Sequence, residues 1–156
     1  MSQCFSENLL AGKVAFVAGG TRGINLGIAK AFACAGARVA VIGRDAERAA
    51  AAQADIEQAS GESALGMSCD VRDYAAVETA IKTTAEAFGK IDILVSGAAG
   101  NFFSPIVGLS ANAFKTVVDI DLIGTFNVFR ASFDYLTKPG ASLIAITAGQ
   151  AEHAVP

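Results

Sequence analysis

The apolar positions of this chain fall into two alternating rhythms. Short, continuous apolar runs give way to longer stretches in which apolar side chains recur every three or four residues. The first rhythm predicts buried strands and the second predicts helices packed by one face. Strands are expected at 13–18, 38–43, 64–69, 91–95 and 142–147. Helices are expected at 24–35 and 46–60, from the capping residue Asp73 to about Phe88, and from the capping residue Ser110 to about Leu136. Gly36, Gly61 and Gly89 stand where three of these helices stop, and Pro139-Gly140 breaks the last. On the third helix, Val77, Ala80, Ile81, Thr84 and Phe88 mark the inward face. On the fourth, Phe114, Val117, Val118, Leu122, Phe129 and Phe133 share one side, and Asp121 falls inside that stripe. Residues 1–12 read as a lead-in. Strand alternating with helix predicts an α/β fold, a doubly wound parallel sheet with right-handed crossovers and helices on both faces.

Ligands on such sheets gather at the carboxyl ends of the strands, where the strand order reverses. The first strand runs into Gly19-Gly20-Thr21-Arg22-Gly23-Ile24 and then into a helix. Glycines let the backbone turn tightly, and the helix N-terminus beyond them presents free N–H groups to an anion such as a pyrophosphate. A glycine spacing alone also arises in plain turns; its place between strand and helix points to a nucleotide. Gly-Lys-Ser/Thr is missing, which argues against a triphosphate P-loop, and so is G-x-G-x-x-G.

The second strand ends in Gly43-Arg44, with no acid until Asp45. A carboxylate there would hold a ribose 2′-hydroxyl, whereas a guanidinium binds a 2′-phosphate with two hydrogen bonds. Arg44, with Arg22 as a second cation, therefore favours NADP(H) over NAD; otherwise both are solvated surface arginines. After the third strand come Asp70, Val71 and Arg72. Asp70 can accept from an adenine amino group or simply close a turn, and Arg72 can contact a second anion. After the fourth strand, the small residues Gly97, Ala98 and Ala99 let a ring or ribose approach the backbone, with Asn101 and Phe102 beyond them. Phe102 and Phe103 can line a ligand site or pack in the core. Thr147 closes the fifth strand.

Composition narrows the partners. The chain is 53% hydrophobic and 17% charged over 156 residues, enough for one domain with a real core. Its net charge is −3 without a basic tract, so no nucleic-acid partner is expected. No apolar run is long enough to span a membrane, and the first residues do not read as a signal peptide. Cys4, Cys34 and Cys69 are odd in number and lack a C-x-x-C spacing, which predicts free thiols, no metal and a cytoplasmic location. His153, the single histidine, reads as exposed.

Four strand-end patterns occur together in order. They are the Gly19-x-x-x-Gly23 turn, Cys69-Asp70-Val71, Ala98-Ala99-Gly100 and Asp119-Ile120-Asp121 through Gly124-Thr125-Phe126-Asn127. In this the chain resembles the short-chain dehydrogenase/reductases, from Leu10 to Thr147, which implies a Rossmann-type fold. That family usually has a third glycine where Asn25 stands, and Asn-Asn-Ala-Gly where this chain has Ser96-Gly97-Ala98-Ala99-Gly100. Gly27 is a residue that can relieve the packing at Asn25. Ala98 through Phe102, Ser104-Pro105 and Leu109-Ser110 look like the 2,4-dienoyl-CoA reductases, and Asp119–Asn127 like their peroxisomal type.

The resemblance implies NADPH-dependent reduction of an unsaturated fatty acyl-CoA by hydride transfer and enolate protonation. It implies substrate contacts at Arg72, Asn101 and Phe102, and a homotetramer joined through the fourth helix at Phe126 and Phe129. Most family members carry asparagine at position 121; the peroxisomal type carries aspartate, and there it is implicated in catalysis. On an inward stripe, Asp121 would be a desolvated acid suited to protonating the enolate. The catalytic serine that ends the fifth strand in many members is replaced by Thr147-Ala148-Gly149, which fits a branch that does not depend on it. Family chains continue well past this point to a catalytic lysine, so residues 1–156 are expected to be the N-terminal part of a longer reductase and inactive alone. Two other functions fit the residues: an alcohol or ketone dehydrogenase, such as a 3-oxoacyl reductase or sugar dehydrogenase, and a nucleotide-binding module without catalysis.

Overall fold

The computed structural model describes residues 8–102 and 104–148. Phe103, Cys4, His153 and Gly149 therefore lie outside the described residues. Five strands, β1 (Val14–Ala18), β2 (Arg38–Gly43), β3 (Ala64–Ser68), β4 (Ile93–Ser96) and β5 (Ser142–Ala145), pair in parallel in the order β3-β2-β1-β4-β5. The order reverses between β1 and β4, where Ala18 pairs with Ser96.

Alternate residues of each strand serve opposite faces, so a strand covered on both sides must be apolar throughout. Phe16, Ile42 and Leu94 pack with Val77 and Ile81 of α3 (Tyr74–Phe88) and with Val128 of the later helix. Val17, Val39, Val41 and Val95 pack with Ala29 and Ala33 of α1 (Gly23–Cys34) and with Ile56 of α2 (Ala46–Ser60). Asp45, Asp73 and Ser110 accept from the first-turn N–H groups of α2, α3 and α4 (Ala111–Val118) at 3.1 Å each. Gly61 and Gly89 end α2 and α3 with φ of 75° and 96°, which side chains rarely adopt. At the far edge, Leu143 and Ile144 of β5 are exposed.

The fourth helix departs from expectation. It is α4 (Ala111–Val118), a π-helical turn (Asp119–Ile123) and α5 (Gly124–Ser132), followed by one 3₁₀ turn (Phe133–Tyr135). The buried face is Ile120, Gly124, Asn127, Val128 and Ala131, which recur every three or four residues, while the other stripe, with Phe114, Leu122, Phe126 and Phe133, is exposed. Asp121, expected on the inward stripe, is exposed.

Away from the cleft, Asp92 ties the sheet to the chain entering it. Its carboxylate accepts from the Val14 N–H and from Lys13 Nζ, at 3.0 Å each. Burial pushes this carboxyl up, but Val14, Lys13 and Thr137 outweigh it, and the net shift is downward. A lowered folded-state pKa gives stability that is present above the unfolded value of about 3.9 and lost as pH falls through the folded value. Asp92→Asn is therefore expected to be less stable than the parent in urea at neutral pH, with the gap closing in acid. A gap of constant size across that range would show that the Asp92 charge contributes nothing.

Candidate functional site

At the switch point the strand ladder runs on by one residue on each side. The Gly19 N–H donates to the Ile42 carbonyl at 2.9 Å, and the Gly97 N–H donates to the Ala18 carbonyl at 3.1 Å. This brings the glycine turn against the loop after β4. Gly19 has φ of 75°, and a Cβ there would lie 2.7 Å from the Ala98 backbone. Gly20 is needed for space rather than torsion, since its Cβ would meet Val41.

Over this junction lies a cleft of about 820 Å³. It brings together Gly19, Thr21, Arg22, Gly23, Ile24, Arg44, Asp70, Val71, Gly97, Ala98 and Ala99, all predicted coenzyme contacts. Of that set only Thr147 is not in its wall: β5 ends at Ala145, and Ile146, whose N–H donates to the Ser96 carbonyl at 2.9 Å, lines the cleft instead. Asn25, Asp45, Arg48, Cys69 and Ile120 also line it and were not read from sequence as contacts. Arg48 lies in the first turn of α2, four residues beyond Arg44, and its place at the cleft shows only once α2 is positioned.

The first turn of α1 opens onto this cleft. Among the described residues no side chain caps it, and it carries no acid, unlike α2 with its Asp45 cap. Its N–H groups and the helix dipole are left for an anion. At the β2 end, Arg22, Arg44 and Arg48 are all exposed lining residues. Asp45, the one acid on that side of the wall, is engaged: it accepts from the Arg48 N–H and pairs with Arg48 Nε at 3.4 Å.

At the β3 end, Arg72 turns onto Asp70, its Nε donating at 3.0 and 3.1 Å and Nη2 at 2.5 Å. The Arg72 guanidinium holds the Asp70 carboxyl below the usual carboxylate range, against the upward push of burial. Arg72, predicted to touch substrate, does not line the cleft and is committed to this pair. Buried Asn127 anchors the same turn, its Nδ2 donating to the Val71 carbonyl at 2.9 Å. Burial pushes the Cys69 thiol up to about 11, with help from the Asp70 and Asp73 charges, so it is a wall group and not a nucleophile.

Past β4 the loop turns over the π-helical segment. Asp121 accepts from the Gly100 N–H at 2.8 Å, next to Asn101 and Phe102, which are both exposed and outside the cleft wall. The structure thus brings Asp121 to the loop predicted to meet substrate. It does not bury the carboxylate, so desolvation is not what would make Asp121 an acid. Among the described residues no cluster of three or more His, Cys, Asp or Glu side chains is placed to hold a metal ion, and no helix is long and apolar enough to cross a membrane.

A parallel doubly wound sheet with a glycine turn and an uncapped helix N-terminus at its switch point defines a dinucleotide-binding fold. The short chain dehydrogenase family profile matches residues 13–156, and the chain belongs to that family. It is 41% identical over 152 residues to the peroxisomal 2,4-dienoyl-CoA reductase of Saccharomyces cerevisiae, covering 96% of this chain and 52% of that protein. It is 43% identical over 145 residues to the peroxisomal 2,4-dienoyl-CoA reductase of Rattus norvegicus, covering 92% and 50%. The chain spans about half the length of these relatives. A short chain dehydrogenase from Burkholderia cenocepacia J2315, solved in complex with NADP, superposes with a TM-score of 0.87 at 32% identity, covering 94% of this chain and 60% of that one. The cytoplasmic expectation is corrected by these relatives, which are both named as peroxisomal. Unpaired thiols report redox conditions and do not name a compartment.

Proposed function

We propose that this chain forms the coenzyme-binding part of an NADPH-dependent reductase acting on 2,4-dienoyl-CoA thioesters. The coenzyme reading rests on one observation: Arg22 and Arg44 flank the β2 end of the cleft, while Asp45, the acid on that side of the wall, caps α2 and pairs with Arg48. That wall suits a 2′-phosphate and offers no free carboxylate to a 2′-hydroxyl. The fit extends along the cleft. The α1 N–H groups and Gly19 to Gly23 suit the pyrophosphate, Asp70 and Val71 the adenine, and Gly97 to Ala99 a ribose at the backbone. When bound, the nicotinamide supplies the hydride. The substrate reading is supported by 41% and 43% identity to two 2,4-dienoyl-CoA reductases.

In this reading Asp121 delivers the proton. Its carboxyl group is fixed by the Gly100 N–H and open to solvent, so in its protonated form it can give the proton, directly or through a water, to the enolate carbon and take another from solvent. Asn101 and Phe102 stay in the proposal as substrate contacts; Arg72 does not. A tetramer joined through the exposed side of α4 and α5 fits Phe126, whereas Phe129 packs on the core and is set aside as a contact.

The test is NADPH oxidation by the intact reductase with a 2,4-dienoyl-CoA and, separately, with a 3-oxoacyl thioester. Faster turnover of the dienoyl substrate is expected. Preference for the oxo substrate would move the protein to the ketone reductases, and NADPH binding without turnover on either would make it a binding module.

A further inference from the structure

Asn25 stands in the first turns of α1, where the family pattern places glycine. The relief expected from Gly27 is not used: a Cβ on Gly27 would meet nothing within 4 Å. Room for Asn25 is made across the cleft instead. The Asn25 Nδ2 donates to the Gly97 carbonyl at 2.7 Å. A Cβ on Gly97 would lie 2.5 Å from both Nδ2 and Oδ1 and 2.6 Å from Cγ of Asn25. The Asn25 amide therefore fills the space that a side chain at 97 would take, and the two departures from the family pattern are one exchange. The bond joins α1 to the β4 loop, the two walls that meet at the switch point.

The other half of the amide is unfinished. Asn25 Oδ1 is buried and has no hydrogen-bond partner among the described residues, although Asn25 lines the cleft. A buried acceptor without a donor is costly, and a ligand that brings one gains that cost back. A pyrophosphate at neutral pH has no donor to offer, whereas the ribose hydroxyls of a dinucleotide do.

We propose that Asn25 is a positioning residue for the dinucleotide, its Nδ2 clamping the glycine turn to the β4 end and its Oδ1 accepting from a ribose hydroxyl of the bound coenzyme. The inference rests on the dinucleotide reading of the cleft. It is tested in the intact reductase with Asn25→Ala, Gly97→Ala and the double variant. Asn25→Ala is expected to raise KM for NADPH about tenfold with a much smaller change in kcat, because it removes binding without touching the reacting atoms. Gly97→Ala is expected to lower Tm by several degrees in the parent but hardly at all in the Asn25→Ala background, where the clashing amide is gone. Gly97 has no positive φ, so alanine itself is tolerated there. A parent that fails to bind NADPH overturns both the cleft reading and this inference. A parent that binds, with Asn25→Ala at parental KM or Gly97→Ala equally costly in both backgrounds, overturns this inference alone.

Discussion

Asp121→Asn is expected to lower kcat for dienoyl-CoA reduction by about 10² or more, the usual reach of a general acid, with NADPH affinity kept. Asparagine preserves the volume and leaves an oxygen to accept from the Gly100 N–H, the bond that aspartate makes at 2.8 Å. The loop at Asn101 and Phe102 therefore keeps its support, and the change isolates the proton. Asp121 also lies apart from the coenzyme wall, of which only its neighbour Ile120 is part. The measurement is steady-state turnover of the intact reductase with saturating NADPH. Parental turnover would make Asp121 a structural residue whose work is to hold the Gly100 turn.

Arg44→Ala is expected to weaken NADPH binding at least tenfold and leave NADH nearly unchanged. A charge-assisted hydrogen bond contributes about 1.5–3 kcal/mol, and a tenfold change in Kd corresponds to about 1.4 kcal/mol. The exposed setting of Arg44 puts the effect at the lower end, and Arg22 remains to hold the phosphate. Titration of both coenzymes against parent and variant checks this. Equal losses for NADPH and NADH would remove the 2′-phosphate from the account.

The sheet and its helices were legible because the signals were local. The strand at 38–43 and the helix at 46–60 match β2 and α2 residue for residue, since an apolar run bounded by glycine and an alanine-rich stretch stopped by Gly61 need no tertiary help. Most of the coenzyme cleft was legible for the same reason: it lies where strands end. The fourth helix was not. Two stripes of regular period run along it, and nothing in Asp119-Ile120-Asp121-Leu122-Ile123 shows that the one through Ile120 faces the core and Asp121 the Gly100 loop. The Asn25 and Gly97 departures looked unrelated in sequence, 72 residues apart, and only parallel pairing of β1 with β4 brings them together. Arg72 reads as a free cation because the sequence does not show that its side chain folds back onto Asp70 two residues earlier.

The central claim is that the cleft presents NADPH to a conjugated acyl-CoA. Its most direct test uses NADPH carrying deuterium at the reactive C4 position, incubated with the intact reductase and a 2,4-dienoyl-CoA, with the product examined by mass spectrometry. An enoyl-CoA product bearing one deuterium from the coenzyme is expected. An enoyl-CoA product without deuterium, or unchanged dienoyl-CoA in the presence of bound coenzyme, would contradict the claim.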